Sequence, residues 1–204
     1  ASGLLLGPVF ESATHGYDTL DHMHIDVRLG GDAAFDQLVA ACRDMGLQVM
    51  LDGVFNHVSR NHPAVQTALD ETAGRLNPAD NPWHGLVRAH VGDNGEPALD
   101  VFEGHGDLVA LDHSADETVD YVAHVMSHWL DRGAAGWRLD AAYAVPSPFW
   151  ARVLPQVKAA HPYSWIFGEV IHGDYPRIIE ESTMDSITQY ELWKSIQHAL
   201  ETEN

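Results

Sequence analysis

Short apolar runs alternate with segments of helical periodicity, and this order restricts the fold of the chain more than any other feature. The apolar runs that fit buried strands are residues 4–10, 47–51, 136–139 and 165–167. The segments with apolar residues at helical spacing are 32–45, 116–132 and 149–160, and a further strand at 186–190 precedes a helix from Glu191. Strands that alternate with helices predict a parallel sheet or barrel of the α/β class.

The alternation stops between His57 and His113, where prolines, glycines and asparagines are frequent. A long irregular insertion after a barrel strand usually carries function. We therefore divide the chain into a barrel part at 1–57, an inserted loop region at 58–113, and a second barrel part at 114–204.

Charge and composition exclude two classes of partner. The net charge is −19, which would repel nucleic acid. No apolar run is long enough to span a bilayer, so we expect no membrane association, and residues 1–10 do not resemble a signal peptide. The single cysteine, Cys42, cannot form an intramolecular disulfide, which favours the cytoplasm. A secreted protein without disulfides remains an alternative.

Charged residues stand where three of the predicted strands end. Asp52 follows one strand, Arg138 and Asp140 close the next, and Glu169 follows the third. The carboxyl ends of barrel strands converge on one face, which holds the active site. Two carboxylates in different environments are what the cleavage of a glycosidic bond needs. Arg138 lies two residues before Asp140, points the same way on a strand, and is expected to keep that carboxylate ionised.

The motifs at these positions resemble those of the α-amylase superfamily of retaining glycoside hydrolases. They are HGYD at 15–18, DGVFNH at 52–57, GWRLD at 136–140 and FGEV at 167–170. The resemblance implies a (β/α)8 TIM-barrel catalytic domain, of which this chain is an incomplete portion. Its 204 residues are expected to run from the second barrel strand to the sixth. The sequence also lacks a His-Asp dipeptide, which in the family supplies a third carboxylate after the seventh strand.

The resemblance implies roles for seven side chains. Asp140 would be the nucleophile, Glu169 the acid/base, and Arg138 the residue that orients the nucleophile. The residues that would bind substrate are Tyr17, Asp18, Asp52 and His57. Tyr17 would stack on the sugar, His57 would hydrogen-bond it, and Asp52 would support the site. Asp18 would contact the outer hydroxyls of a chain-end sugar, although an aspartate there also suits a turn cap.

The residues after the proposed nucleophile depart from the family pattern, and the sequence does not decide whether a calcium ion binds. Ala142, Tyr143 and Ala144 stand where relatives often carry a lysine or histidine that contacts the acceptor sugar, which puts the binding of long glucans in doubt. The resemblance requires no cofactor. In many relatives an asparagine at the position of Asn56 ligates calcium, with partners from the inserted domain B. Asp80, Asp93 and Asp100 are the possible partners in this chain. Aspartates in loops usually stabilise turns, so the sequence does not decide whether calcium binds.

The function implied is a retaining glycosidase that cleaves α-glucosidic bonds in α-glucans or short oligosaccharides by double displacement. A transglycosidase that passes the glucosyl group to another sugar would carry the same motifs. A non-catalytic, amylase-like binding protein is a third alternative. Asp140 and Glu169 are both present, which argues against that third alternative.

Overall fold

A parallel sheet of five strands organises the computed structural model, which describes residues 1–202. Within those residues the strands are β1 (Gly3–Leu5), β2 (Phe10–Ser12), β3 (Thr19–Ile25), β4 (Gln48–Gly53), β5 (His57–Ser59), β6 (Ala89–Val91), β7 (Pro97–Leu99), β8 (Leu108–Ala110), β9 (Gly136–Leu139), β10 (Trp165–Gly168) and β11 (Ser186–Ile187). The parallel sheet has the order β1-β4-β9-β10-β11. Its strands therefore lie side by side in the order in which they occur along the chain, and crossover connections link them, as in part of a (β/α) barrel.

In the described part of the chain, six α-helices connect or follow the strands: α1 (Gly31–Asp44), α2 (Pro63–Thr72), α3 (Asp116–Asp131), α4 (Ser147–Ala160), α5 (Tyr175–Ser182) and α6 (Tyr190–Thr202). Helix α3 buries the predicted apolar stripe, which includes Val122, Met126 and Trp129. Trp137 and Leu139 on β9 are fully buried in the same core. No helix within residues 1–202 is long and apolar enough to cross a bilayer.

The predicted buried strand at 4–10 is wrong in extent and in burial. Only Gly3–Leu5 forms a strand of the parallel sheet, and Leu5 is 49% exposed. Phe10 belongs instead to β2, which pairs antiparallel with β3. Pro8 cannot donate to a strand ladder, so the run is interrupted at that point. Within residues 1–202 β1 pairs with β4 alone, which leaves its side chains in contact with solvent.

The remaining predicted elements differ from the structure mainly at their ends. The strand expected at 186–190 is shortened to Ser186–Ile187, and the following helix begins at Tyr190. The inserted region is more regular than expected, since it contains α2 and the antiparallel pairs β5–β8 and β6–β7. It also has an apolar cluster of its own, formed around Val58, Val65 and Val109.

Candidate active site

Backbone hydrogen bonds align the ends of β4, β9 and β10 at one level. The amide of Asp140 donates to the carbonyl of Gly53 at 2.9 Å, and the amide of Glu169 donates to the carbonyl of Leu139 at 2.9 Å. In the same register Asp52 stands opposite Arg138. The structure thus brings together the charged residues that the sequence placed at three separate strand ends.

Arg138 lies at the centre of three carboxylates. Its Nη1 donates to both oxygens of Asp52 at 2.6 Å and to Oδ1 of Asp140 at 3.1 Å. Its Nη2 lies 2.8 Å from Oε1 of Glu169. All four side chains are largely buried, with Asp52 the most enclosed. Burial strengthens these interactions because little water screens them.

The electrostatics of Asp140 differ from the expectation that Arg138 holds it ionised. Burial, followed by the charge of Asp52, raises the pKa of Asp140 to about 6, and Arg138 opposes this only in part. The reason is geometric, since the shorter bonds of Arg138 go to Asp52. Burial also raises the pKa of Asp52 against the opposing bond from Arg138. Burial acts to lower the pKa of Arg138, but the hydrogen bond to Asp52 and its negative charge outweigh burial, so the pKa of Arg138 is raised.

Two contacts to Glu169 come from residues outside the predicted site. The hydroxyl of Tyr190 donates to Oε1 at 3.0 Å, and the amide of Ala141 donates to Oε2 at 3.2 Å. Ala141 adopts a left-handed conformation with φ 46°, which is unfavourable for a residue with a Cβ. The predicted strand at 186–190 ends at Tyr190, so its position was a signal available in the sequence, although in the structure β11 ends at Ile187 and Tyr190 begins α6.

His57 has both ring nitrogens engaged within the protein. Its Nε2 lies 3.1 Å from the carbonyl oxygen of Tyr17, and its Nδ1 lies 3.0 Å from Nδ2 of Asn56. Nε2 is therefore the donor and Nδ1 the acceptor of a neutral ring. Burial lowers the pKa of His57 to about 4, in agreement with that form. The side chain of Tyr17 is partly exposed and open to a ligand.

Asp18 lies beside this group and is engaged in a turn. Its carboxylate accepts from Oγ1 of Thr14 at 2.7 Å and from the amide of His15 at 3.1 Å. Burial acts against ionisation, but these bonds together lower the pKa of Asp18. Asp18 also lines a cavity of about 410 Å³ that includes Arg60 and His105. The position is compatible with both roles that the sequence left open.

The inserted region reaches the site through a turn at Phe102–Gly104. The ring of Phe102 stacks on His57 with centroids 4.8 Å apart and planes 19° apart. The carboxylate of Glu103 accepts from the hydroxyl of Tyr143 at 3.0 Å. Burial and this bond raise the pKa of Tyr143 to about 12, so its hydroxyl stays protonated. No sequence motif marked Phe102 or Glu103.

The side chains that line the cavity beside Asn56 offer few carboxylate ligands for a calcium ion. Calcium takes six to eight oxygen ligands. Asn56 shares a cavity with Asp100 and Glu103, but Arg88 lines that cavity too and lies 3.7 Å from the carboxylate of Asp100. Within residues 1–202, no group of three or more His, Cys, Asp or Glu side chains is arranged to hold a metal ion.

A sheet of consecutive parallel strands with charged residues gathered at their carboxyl ends defines a (β/α)-barrel catalytic domain. The sequence profile of the alpha amylase catalytic domain matches residues 1–204. The chain belongs to the alpha-amylase family.

Several relatives support this assignment. A maltogenic alpha-amylase of Bacillus acidopullulyticus is 29% identical over 95% of this chain and 33% of that protein. An intracellular maltogenic amylase of Bacillus subtilis is 30% identical over 86% of this chain and 29% of that protein. The ligand-free cyclic alpha-maltosyl-(1→6)-maltose hydrolase of Arthrobacter globiformis has a TM-score of 0.80 at 28% identity, over 93% of this chain and 43% of that chain. The chain spans about a third of the length of the curated relatives it matches.

Proposed function

We propose that the protein containing this chain is a retaining glycoside hydrolase that cleaves α-glucosidic bonds in α-glucans and short α-linked oligosaccharides. The observation that carries the proposal is the position of Arg138 between Asp52, Asp140 and Glu169. One guanidinium contacts both carboxylates, Asp140 at 3.1 Å and Glu169 at 2.8 Å, which supports their acting together on a single sugar. The names of two relatives, a maltogenic alpha-amylase and a cyclic alpha-maltosyl-(1→6)-maltose hydrolase, support the substrate class.

In this proposal Asp140 attacks the anomeric carbon while Glu169 gives its proton to the departing glycosidic oxygen. The product of this first step is a glycosyl ester on Asp140. Glu169 then takes a proton from water, whose oxygen attacks the same carbon and releases Asp140 as a carboxylate. Arg138 orients both carboxylates, Asp52 anchors Arg138, and Tyr17 offers an aromatic face to the sugar.

The test is a time course of maltotriose hydrolysis by NMR with the full-length protein. We expect the α-anomer as the first product, because two inversions at one carbon retain its configuration. Asp140→Asn and Glu169→Gln should each abolish most turnover. The matched controls, Asp93→Asn and Glu96→Gln, change exposed carboxylates of the inserted region and should leave turnover unchanged. The β-anomer as first product, or normal turnover by either site variant, would refute the proposal.

We also propose that the protein acts in the cytoplasm. The single cysteine of this chain suits a reducing compartment, and one relative is named as an intracellular enzyme. Fractionation of the source cells, with the protein detected by antibody, tests this. Recovery mainly in the culture medium would contradict it.

A further inference from the structure

Glu169 is held by donors that differ at its two oxygens. Oε1 accepts from the hydroxyl of Tyr190 at 3.0 Å and lies 2.8 Å from Nη2 of Arg138. Oε2 accepts from the backbone amide of Ala141 at the longer distance of 3.2 Å. A hydroxyl and a cation both favour negative charge on the oxygen that they contact. The environment therefore favours charge on Oε1 and leaves Oε2 as the better place for a proton.

The segment that carries Tyr190 is fastened to the segment that carries Glu169. The amide of Val170 donates to Oγ1 of Thr188 at 2.9 Å, and that hydroxyl donates back to the carbonyl of Val170 at 2.8 Å. The amide of Thr188 donates to the carbonyl of Gly168 at 3.0 Å. These three bonds flank Glu169 on both sides, so the Tyr190 hydroxyl has a defined position relative to its carboxylate.

We propose that Tyr190 is a positioning residue for the acid/base, which by binding Oε1 of Glu169 directs the transferable proton to Oε2. This inference rests on the proposed function. A carboxylic acid that donates from a defined oxygen must point that oxygen at the glycosidic bond, and small errors in such geometry are costly in rate. Tyr190 acts through Glu169 and makes no bond to the reacting atoms.

The experiment compares two substrates that differ in their need for an acid. Maltotriose must lose a sugar alkoxide, which is a poor leaving group without protonation. α-Glucosyl fluoride releases fluoride, the anion of a far stronger acid, and needs little protonation. For a double displacement, kcat/KM reports the first step, in which the leaving group departs. Tyr190→Phe should lower kcat/KM for maltotriose about tenfold or more, and for the fluoride no more than about twofold.

A merely structural role of Tyr190 would lower kcat/KM for both substrates alike. Tyr163→Phe, at a side chain that is 99% exposed, is the matched control and should leave kcat/KM for both substrates unchanged.

Equal losses on both substrates, or no loss on maltotriose, would overturn the inference about Tyr190 and leave the proposed function standing. A wild-type protein that turns over neither substrate would instead overturn the proposed function, and the inference would fall with it. If Tyr190→Phe folds poorly, as judged by circular dichroism, Thr188→Val serves as the second variant. It removes the reciprocal bonds to Val170 and should show the same selective loss on maltotriose.

Discussion

Nη1 of Arg138 lies 2.6 Å from each carboxylate oxygen of Asp52 and 3.1 Å from Oδ1 of Asp140. Arg138, two residues before the proposed nucleophile, is thus bound more closely to Asp52 on the neighbouring strand than to the nucleophile itself. Asp52 fixes the guanidinium, and the guanidinium in turn contacts Asp140 and Glu169. This arrangement makes the arginine a shared support for both proposed catalytic groups.

Arg138→Lys should reduce kcat by at least about a hundredfold although the positive charge is kept. Lysine has one nitrogen at the end of a flexible chain, and it cannot contact carboxylates from three strand ends through a planar fork. Kinetics on maltotriose measure the loss, with circular dichroism to verify folding. Arg177→Lys, which changes an exposed helical ion pair with Glu181, is the control and should retain full activity. Turnover near that of the wild type in Arg138→Lys would remove the arginine from the proposed site.

The acid limb of the pH profile should lie near pH 6, since a nucleophilic carboxylate must be ionised and the pKa of Asp140 is raised to about 6. Asp52→Asn removes a negative charge that contributes to this raised pKa. The acid limb of kcat/KM should therefore move to lower pH in the variant. The rate itself should fall as well, because Arg138 loses its closest carboxylate partner. An acid limb that stays in place in Asp52→Asn would show that Asp52 does not control the ionisation of Asp140.

Asp140→Asn should stabilise the fold while it abolishes activity. The pKa of Asp140 is raised from 3.8 to about 6 on folding, so protonation favours the folded state. That contribution is fully present below pH 3.8 and is lost as the pH rises through about 6. The variant, which stays neutral, should thus exceed the wild type by on the order of 2 kcal/mol in unfolding free energy at pH 7.5. The difference should vanish near pH 3.5, as measured by urea denaturation. A variant that is less stable at pH 7.5 would contradict this assignment.

Gly136→Ala should prevent normal folding. A Cβ at this position would lie 2.0 Å from the carbonyl oxygen of Trp165, which belongs to the neighbouring strand β10. That oxygen is backbone, so relief requires the strands to separate, and a loss above about 4 kcal/mol is expected. Gly7→Ala, where a Cβ meets nothing within 4 Å, is the control and should be close to neutral. Soluble expression and thermal melting distinguish the two, and equal melting temperatures would show that the strands can adjust.

The long-range contacts of the inserted region could not be predicted from local sequence pattern. Its prolines and glycines indicate where regular alternation stops, but the pairing of β5 with β8 joins residues about fifty positions apart. The stacking of Phe102 on His57 likewise depends on how that region returns to the sheet. Contacts of this kind depend on the free energy of the whole packed region, so no short motif marks them.

The sequence by itself determined the alternation of strands and helices, the family resemblance, and the residues that stand at the strand ends. These follow from local rules, because periodicity and end chemistry act over a few residues. Tertiary structure decided which of these residues are in contact and how burial and neighbouring charges shift their pKa values. In the folded protein Arg138 binds Asp52 more closely than Asp140, and the hydroxyl of Tyr190 donates to Glu169. Burial raises the pKa of Asp140. The tertiary structure also left β1 exposed, since an apolar run is buried only where another element covers it.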